Sequence, residues 1–106
     1  MREEKIVAVI KRVGKEGEIV TVNNELEDFQ EIVKGYMEIY PLRNDILIIC
    51  NEEGKLMNLP VNFGIPCRDN YTEYMVGDVV IVSNNGDEFG SLNEEQISFL
   101  KSIGLC

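Results

Sequence analysis

The sequence predicts an α+β domain: a mostly antiparallel sheet of five to six short strands with two helices packed on it. Short β-branched apolar runs bounded by turn residues point to the strands. Two stretches with apolar residues at helical spacing point to the helices.

Residues 5–12 read as the first strand, because the apolar stretch 6–10 is rich in β-branched residues and too short for a helix. Gly14 and Gly17 mark a turn, so residues 18–22 return as a second strand in a hairpin. Asn24 with Glu27 three residues later makes a capping-box pattern, and Leu26, Phe29, Ile32 and Val33 supply an apolar stripe. With Gly35 where a C-terminal cap belongs, the first helix is expected over 25–34. Residues 36–40 read as a strand stopped by Pro41, which has no N–H for a ladder. Residues 46–50 are apolar throughout, as in a strand covered on both faces. A hairpin turn over 51–55 follows, with Gly54 expected to take a positive φ, and residues 56–59 return as a short strand ending at Pro60.

From 61 to 75 the periodicity disappears, and Gly64 and Pro66 punctuate what reads as a long loop. Such loops are usually functional or mobile in compact domains; a turn of helix at 71–75 would shorten it. Residues 79–83 form a further strand, entered by Gly77-Asp78 and left by Asn84-Asn85-Gly86. The last helix is expected over 94–103, capped by Asn93, boxed by Gln96 and stapled by Leu92 on Ile97. Ile97, Leu100 and Ile103, with Phe99 flanking, should face the sheet, and Gly104 ends the helix.

A chain of 106 residues fits one domain, and 44% hydrophobic residues place it among ordinary globular proteins. The longest strictly apolar runs are five residues, against the roughly 20 that a membrane span needs. The first residues lack the apolar core of a signal peptide. Cys50, Cys67 and Cys106 are an odd number, widely separated, with no metal-binding spacing. These features imply a cytoplasmic protein. The net charge of −9 opposes direct nucleic-acid and membrane partners and leaves basic protein surfaces open to it. Solubility alone also explains such a charge.

The chain has no histidine, so the commonest general base and neutral metal ligand are missing. Cys50 closes an apolar strand and reads as core; Cys67 lies beside Arg68 but reads as structural before reactive. Glu27, Asp28 and Glu31 gather near a helix N-terminus, where negative charge is stabilising. Asp69, Glu73 and Asp78 are too far apart for a calcium loop. Gly14 and Gly17 lead into a strand, so they cradle no phosphate at a helix start. The expectation is a protein that binds and does not catalyse, with neither cofactor nor metal.

The candidate ligand-binding residues are Tyr36, Asn51, Lys55, Asn58, Asn62 and Arg68, with Glu38 and Tyr40 beside them. Asparagine both donates and accepts, which suits a base edge or a peptide backbone; it also populates turns for purely conformational reasons. Alanine at Asn62 or Lys55 is expected to abolish partner binding with little change in Tm. A small anionic ligand would draw on Lys55, Arg68, Arg43 and Lys34, which a symmetric homo-oligomer would double.

Several segments occur in a familiar order. They are Leu26-x-x-Phe29-Gln30-x-x-Val33-x-Gly35-Tyr36-x-Glu38, then Asn51-Glu52-Glu53-Gly54-Lys55-Leu56, then Leu59-Pro60-x-Asn62, then Gly77-Asp78 before an apolar strand. This pattern, over residues 25–83, resembles a domain-of-unknown-function family common in bacteriophages, plasmids and conjugative elements of Gram-positive bacteria. Lys34 and Met37 stand where that family carries glycine and isoleucine. The resemblance implies a small accessory protein acting in the host cytoplasm. Counter-defence, by occluding a host protein or sequestering a nucleotide signal, is the role it suggests. The alternative is an acidic nucleic-acid mimic that inhibits a host nucleic-acid-binding protein.

Overall fold

The computed structural model describes residues 3–106. The elements run β1 (Lys5–Lys11), β2 (Glu18–Asn23), α1 (Leu26–Val33), β3 (Met37–Arg43), β4 (Ile46–Asn51), β5 (Val61–Pro66), β6 (Thr72–Val76), β7 (Val79–Asn85), β8 (Glu88–Gly90) and α2 (Glu94–Ser102). Six strands form one sheet in the order β2-β1-β7-β4-β3, with β8 also on β7, while β5 and β6 pair apart as a hairpin. All these pairings are antiparallel. The fold is α+β, as the pattern of runs predicts.

The sheet is buried on both faces because its central strands are apolar at consecutive positions. Ile6, Ala8, Ile49, Val80 and Val82 pack with Phe29 and Val33 of α1. Val9, Ile46, Ile48, Val79 and Ile81 pack with Leu100 of α2 and Met75 of β6. Phe29 meets Phe89 edge to face, with ring centroids 5.5 Å apart. Each fully buried valine or isoleucine contributes on the order of 2 kcal/mol. An exposed ion pair contributes about 0–1 kcal/mol, so these two apolar layers dominate stability.

The last helix begins as its sequence predicts. Gln96 N donates to Asn93 Oδ1 at 2.8 Å and Asn93 N to Gln96 Oε1 at 2.9 Å, a complete capping box. Gln96 has a further role invisible in the sequence. Buried, it donates to the Asp45 carbonyl at 2.9 Å and to Ser83 Oγ at 3.0 Å, fastening α2 to the β3–β4 turn and β7. Arg43 reaches both Asp45 and Glu95 and lies over the Phe99 ring, 4.6 Å from its centroid. Leu92 is buried with Ile97 packed on its cluster, but Ile103 is 46% exposed and lies outside the helix.

Other local expectations are corrected. Asn24 does not cap α1: its side chain donates to the Glu3 and Phe89 carbonyls, and Glu25 takes the N-cap position without a side-chain cap. Leu26 turns outward, leaving Phe29 and Val33 as the buried residues of the stripe. The left-handed residue closing α1 is Lys34, at φ 65°, and not Gly35. Pro41 does not stop β3, because β3 is an edge strand with no neighbour to need the missing N–H, and its register shifts between Pro41 and Arg43.

Residues 56–59 form no strand, since β7 and β3 already occupy both edges of β4. They coil in tight turns instead: Met57 N donates to Glu53 O at 2.9 Å and Leu59 N to Gly54 O at 3.0 Å. Asn58 takes the positive φ, at 54°. Gly54 serves close packing, since a Cβ there would stand 2.7 Å from Val76 Cγ2.

The expected long loop is neither loop nor α-helical turn. It is the β5–β6 hairpin, with a single 3-10 turn over Arg68–Asn70 at its tip. Its strands lie mostly at the surface with only Met75 fully enclosed, so their apolar alternation is weak. Asp69 and Asn70 both adopt left-handed backbone, which short polar side chains tolerate. No helix among the described residues is long and apolar enough to cross a membrane.

Candidate functional site

The turn over 52–58 leaves the sheet between β3 and β6 and borders two depressions. The first, of about 220 Å³, is walled by Glu38 and Tyr40 of β3, Cys50 and Asn51 of β4, and Glu73 to Val76 of β6, with Glu52, Lys55 and Leu56 above. The second, of about 360 Å³, lies between α1 and the same turn and is lined by Gln30, Lys34, Tyr36, Asn51, Glu53 and Met57. At the first depression Leu56, 83% exposed, and Tyr74 stand out, and at the second Tyr36 and Met57. Each depression thus carries two exposed apolar or aromatic side chains beside glutamates.

Charge in the first cleft is strongly one-sided. Among the described residues Glu38, Glu52 and Glu73 line it against the ammonium of Lys55. That ammonium sits 3.2 Å from Glu73 Oε1 and is already matched. The Tyr71 hydroxyl donates to the other Glu73 oxygen. The Tyr71 and then the Lys55 hydrogen bonds hold the Glu73 carboxyl below its usual range. Tyr40 Oη lies 3.8 Å from Cys67 Sγ, and its pKa is raised, first by that contact and then by burial. Burial, followed by the charge of Glu38, pushes the Cys50 thiol up to about 11, so it stays a neutral floor to the cleft.

The predicted site residues divide. Tyr36, Asn51 and Lys55 border the two depressions, and Asn58 holds the left-handed step of the turn between them. Asn51 is buried: Nδ2 donates to the carbonyls of Val33 at 3.0 Å and Lys34 at 3.2 Å, and Oδ1 accepts from Glu53 N at 2.8 Å. It shapes the turn from beneath. Asn62 lies elsewhere, joining β5 to the sheet through donations to Lys11 O and Gly77 O, both at 2.8 Å. Arg68 stands at the exposed tip of the β5–β6 hairpin. Leu56, Met57 and Tyr74 are not among the residues that the sequence singles out for a site, and Glu73 enters there only as a calcium ligand whose spacing fails. The signal for the first two was an apolar pair followed directly by asparagine, which reads as the crest of a turn once no sheet edge is free.

A family model described as a domain of unknown function, DUF3846, matches residues 5–103. The chain belongs to the DUF3846 family. No curated protein and no solved structure matches it. The DUF3846 match runs from β1 to the residue after α2 and so extends beyond the 25–83 stretch on which the resemblance rests. It takes in the capped helix α2, the turn over 52–58 and the β5–β6 hairpin alike.

Proposed function

We propose that this DUF3846 protein acts by binding, as a small acidic accessory protein of a phage or other mobile element that occludes a basic host protein in the cytoplasm. The supporting observation is the pair of depressions beside the turn over 52–58, one with exposed Leu56 and Tyr74 beside Glu38, Glu52 and Glu73, the other with exposed Tyr36 and Met57 beside Glu53. Tyrosine and methionine are enriched at the cores of protein interfaces, and polar residues form their rims. The surrounding carboxylates favour lysine- and arginine-bearing partners and steer their approach. Nucleotide sequestration, the other counter-defence role, is less favoured, because a phosphate in the cleft would face three carboxylates and an ammonium matched to Glu73.

The test is an array of peptides that combine basic and apolar residues, probed with the wild type and with Leu56→Glu. Wild type should retain a subset of the peptides, and Leu56→Glu should lose them while melting normally. A rise in Tm with nucleotides, without peptide retention, would overturn this reading in favour of nucleotide sequestration. Binding that disappears by about 0.5 M salt would point to the nucleic-acid mimic, since exposed charge contacts are screened at that strength.

A further inference from the structure

A separate groove is lined by β5 of the β5–β6 hairpin and by α2, and its chemistry is the reverse of the acidic cleft. It measures about 680 Å³, within the usual range of about 300–1,000 Å³ for small-molecule sites. Leu42, Phe63, Ile65, Pro66, Phe99 and Ile103 give it apolar walls. Among the described residues Lys11 and Asn62 provide its only polar side chains and no carboxylate lines it, although the chain carries 19 acidic residues.

Lys11 is only 8% exposed. Its ammonium donates to Asn62 Oδ1 at 2.9 Å and to the Arg12 carbonyl at 3.1 Å. An ammonium has three donors, so one remains after these two. No carboxylate of the described residues lies within ion-pair distance of it. A buried cation satisfied by neutral acceptors alone is poorly compensated, and an anion beside it would supply the missing charge. Asn62 is held in turn by Lys11 O and Gly77 O, so it fixes the ammonium in place.

We propose that this groove binds an amphipathic monocarboxylate, of the class of a medium-chain fatty acid. The carboxylate pairs with Lys11, and the hydrocarbon chain lies along Phe63, Ile65, Phe99 and Ile103. A neutral lipid would leave Lys11 without its counterion, and a short acid would leave the apolar walls wet. Both parts of the ligand are needed.

The experiment is calorimetric titration with decanoate below its micellar concentration, beside decan-1-ol and acetate, with amide chemical shifts to locate the site. Decanoate should bind at least about tenfold more tightly than decan-1-ol or acetate, the size of one charge-assisted hydrogen bond. Shifts should concentrate on Phe63, Ile65 and Ile103. Lys11→Met should lower decanoate affinity by about tenfold and leave decan-1-ol unaffected. Ile103→Trp, at a position 46% exposed, should block both ligands without lowering Tm. Equal affinity for decanoate and decan-1-ol, no decanoate binding, or undiminished binding by Lys11→Met would overturn the proposal. If Lys11→Met does not fold, the wild-type ligand comparison together with Ile103→Trp decides.

Discussion

A Cβ added at Gly35 would stand 2.8 Å from Asn51 Nδ2, so the glycine leaves room for the carboxamide that closes α1. Asn51 spends that carboxamide on the carbonyls of Val33 and Lys34, two of the four that a helix end leaves without partners. The same side chain orients the turn that carries Leu56 through its bond from Glu53 N.

Asn51→Ala should therefore destabilise the protein by about 2–3 kcal/mol, the cost of leaving buried carbonyls unsatisfied. Gly35→Ala should also destabilise, by forcing Asn51 aside. Urea denaturation measures both, with Leu56→Ser as a surface control expected within about 0.5 kcal/mol of wild type. A wild-type midpoint for Asn51→Ala would remove Asn51 from this structural role.

The two residues singled out from sequence for alanine replacement should now behave differently. The Lys55 side chain is 62% exposed, so solvent screens its pair with Glu73 from that side and Lys55→Ala should shift stability by no more than about 1 kcal/mol. Asn62→Ala removes two bonds to backbone carbonyls and one from the Lys11 ammonium, and should cost about 2 kcal/mol. Parallel thermal melts of the two variants check this; equal Tm values would contradict it.

Lys34→Gly should stabilise the chain. Lys34 sits at φ 65°, where an L side chain costs about 1–2 kcal/mol and glycine does not. Glycine's greater freedom in the unfolded chain offsets part of this, leaving a gain of about 0.5–1 kcal/mol. The exposed Lys34 contact with Asp78, at 3.8 Å, adds little to the balance. Denaturation midpoints measure the change, and a loss of stability would show that the lysine contributes something beyond this backbone step.

Acid should act on the Arg43–Asp45 pair. The hydrogen bonds from Arg43 lower the Asp45 carboxyl from 3.8 to about 2. A carboxyl depressed in the folded state contributes stability above its unfolded value, and that contribution is lost as pH falls through the folded one. The loss at this site should thus run from about pH 4 down to about 2. Asp45→Asn removes the charge while leaving an acceptor for Gln96, so its Tm should fall less steeply across that window. Identical slopes for the two proteins would exclude the pair as a source of acid sensitivity.

The candidate rim was half legible before the fold was known. Tyr36 and Lys55 stood out as chemistry-bearing residues near turns, and both border the depressions. Asn51 and Asn62 stood out for the same reason, yet each is spent inside the chain, because a carboxamide that can recognise a ligand can equally clamp a backbone. Leu56 and Met57 were hidden by their own hydrophobicity. An apolar pair after a turn reads as the start of a strand until both edges of β4 are seen to be filled.

Local chemistry alone determined the first hairpin, the β4 and β7 core strands and the capped start of α2. In each, the apolar period or the capping residues depend on neighbours within a few positions along the chain. Tertiary structure decided the β5–β6 hairpin, the path of β3 through Pro41 and the coiling of residues 56–59. These depend on which sheet edges are free and which faces are covered. Such properties belong to the packed assembly and have no periodic signature in the segment itself.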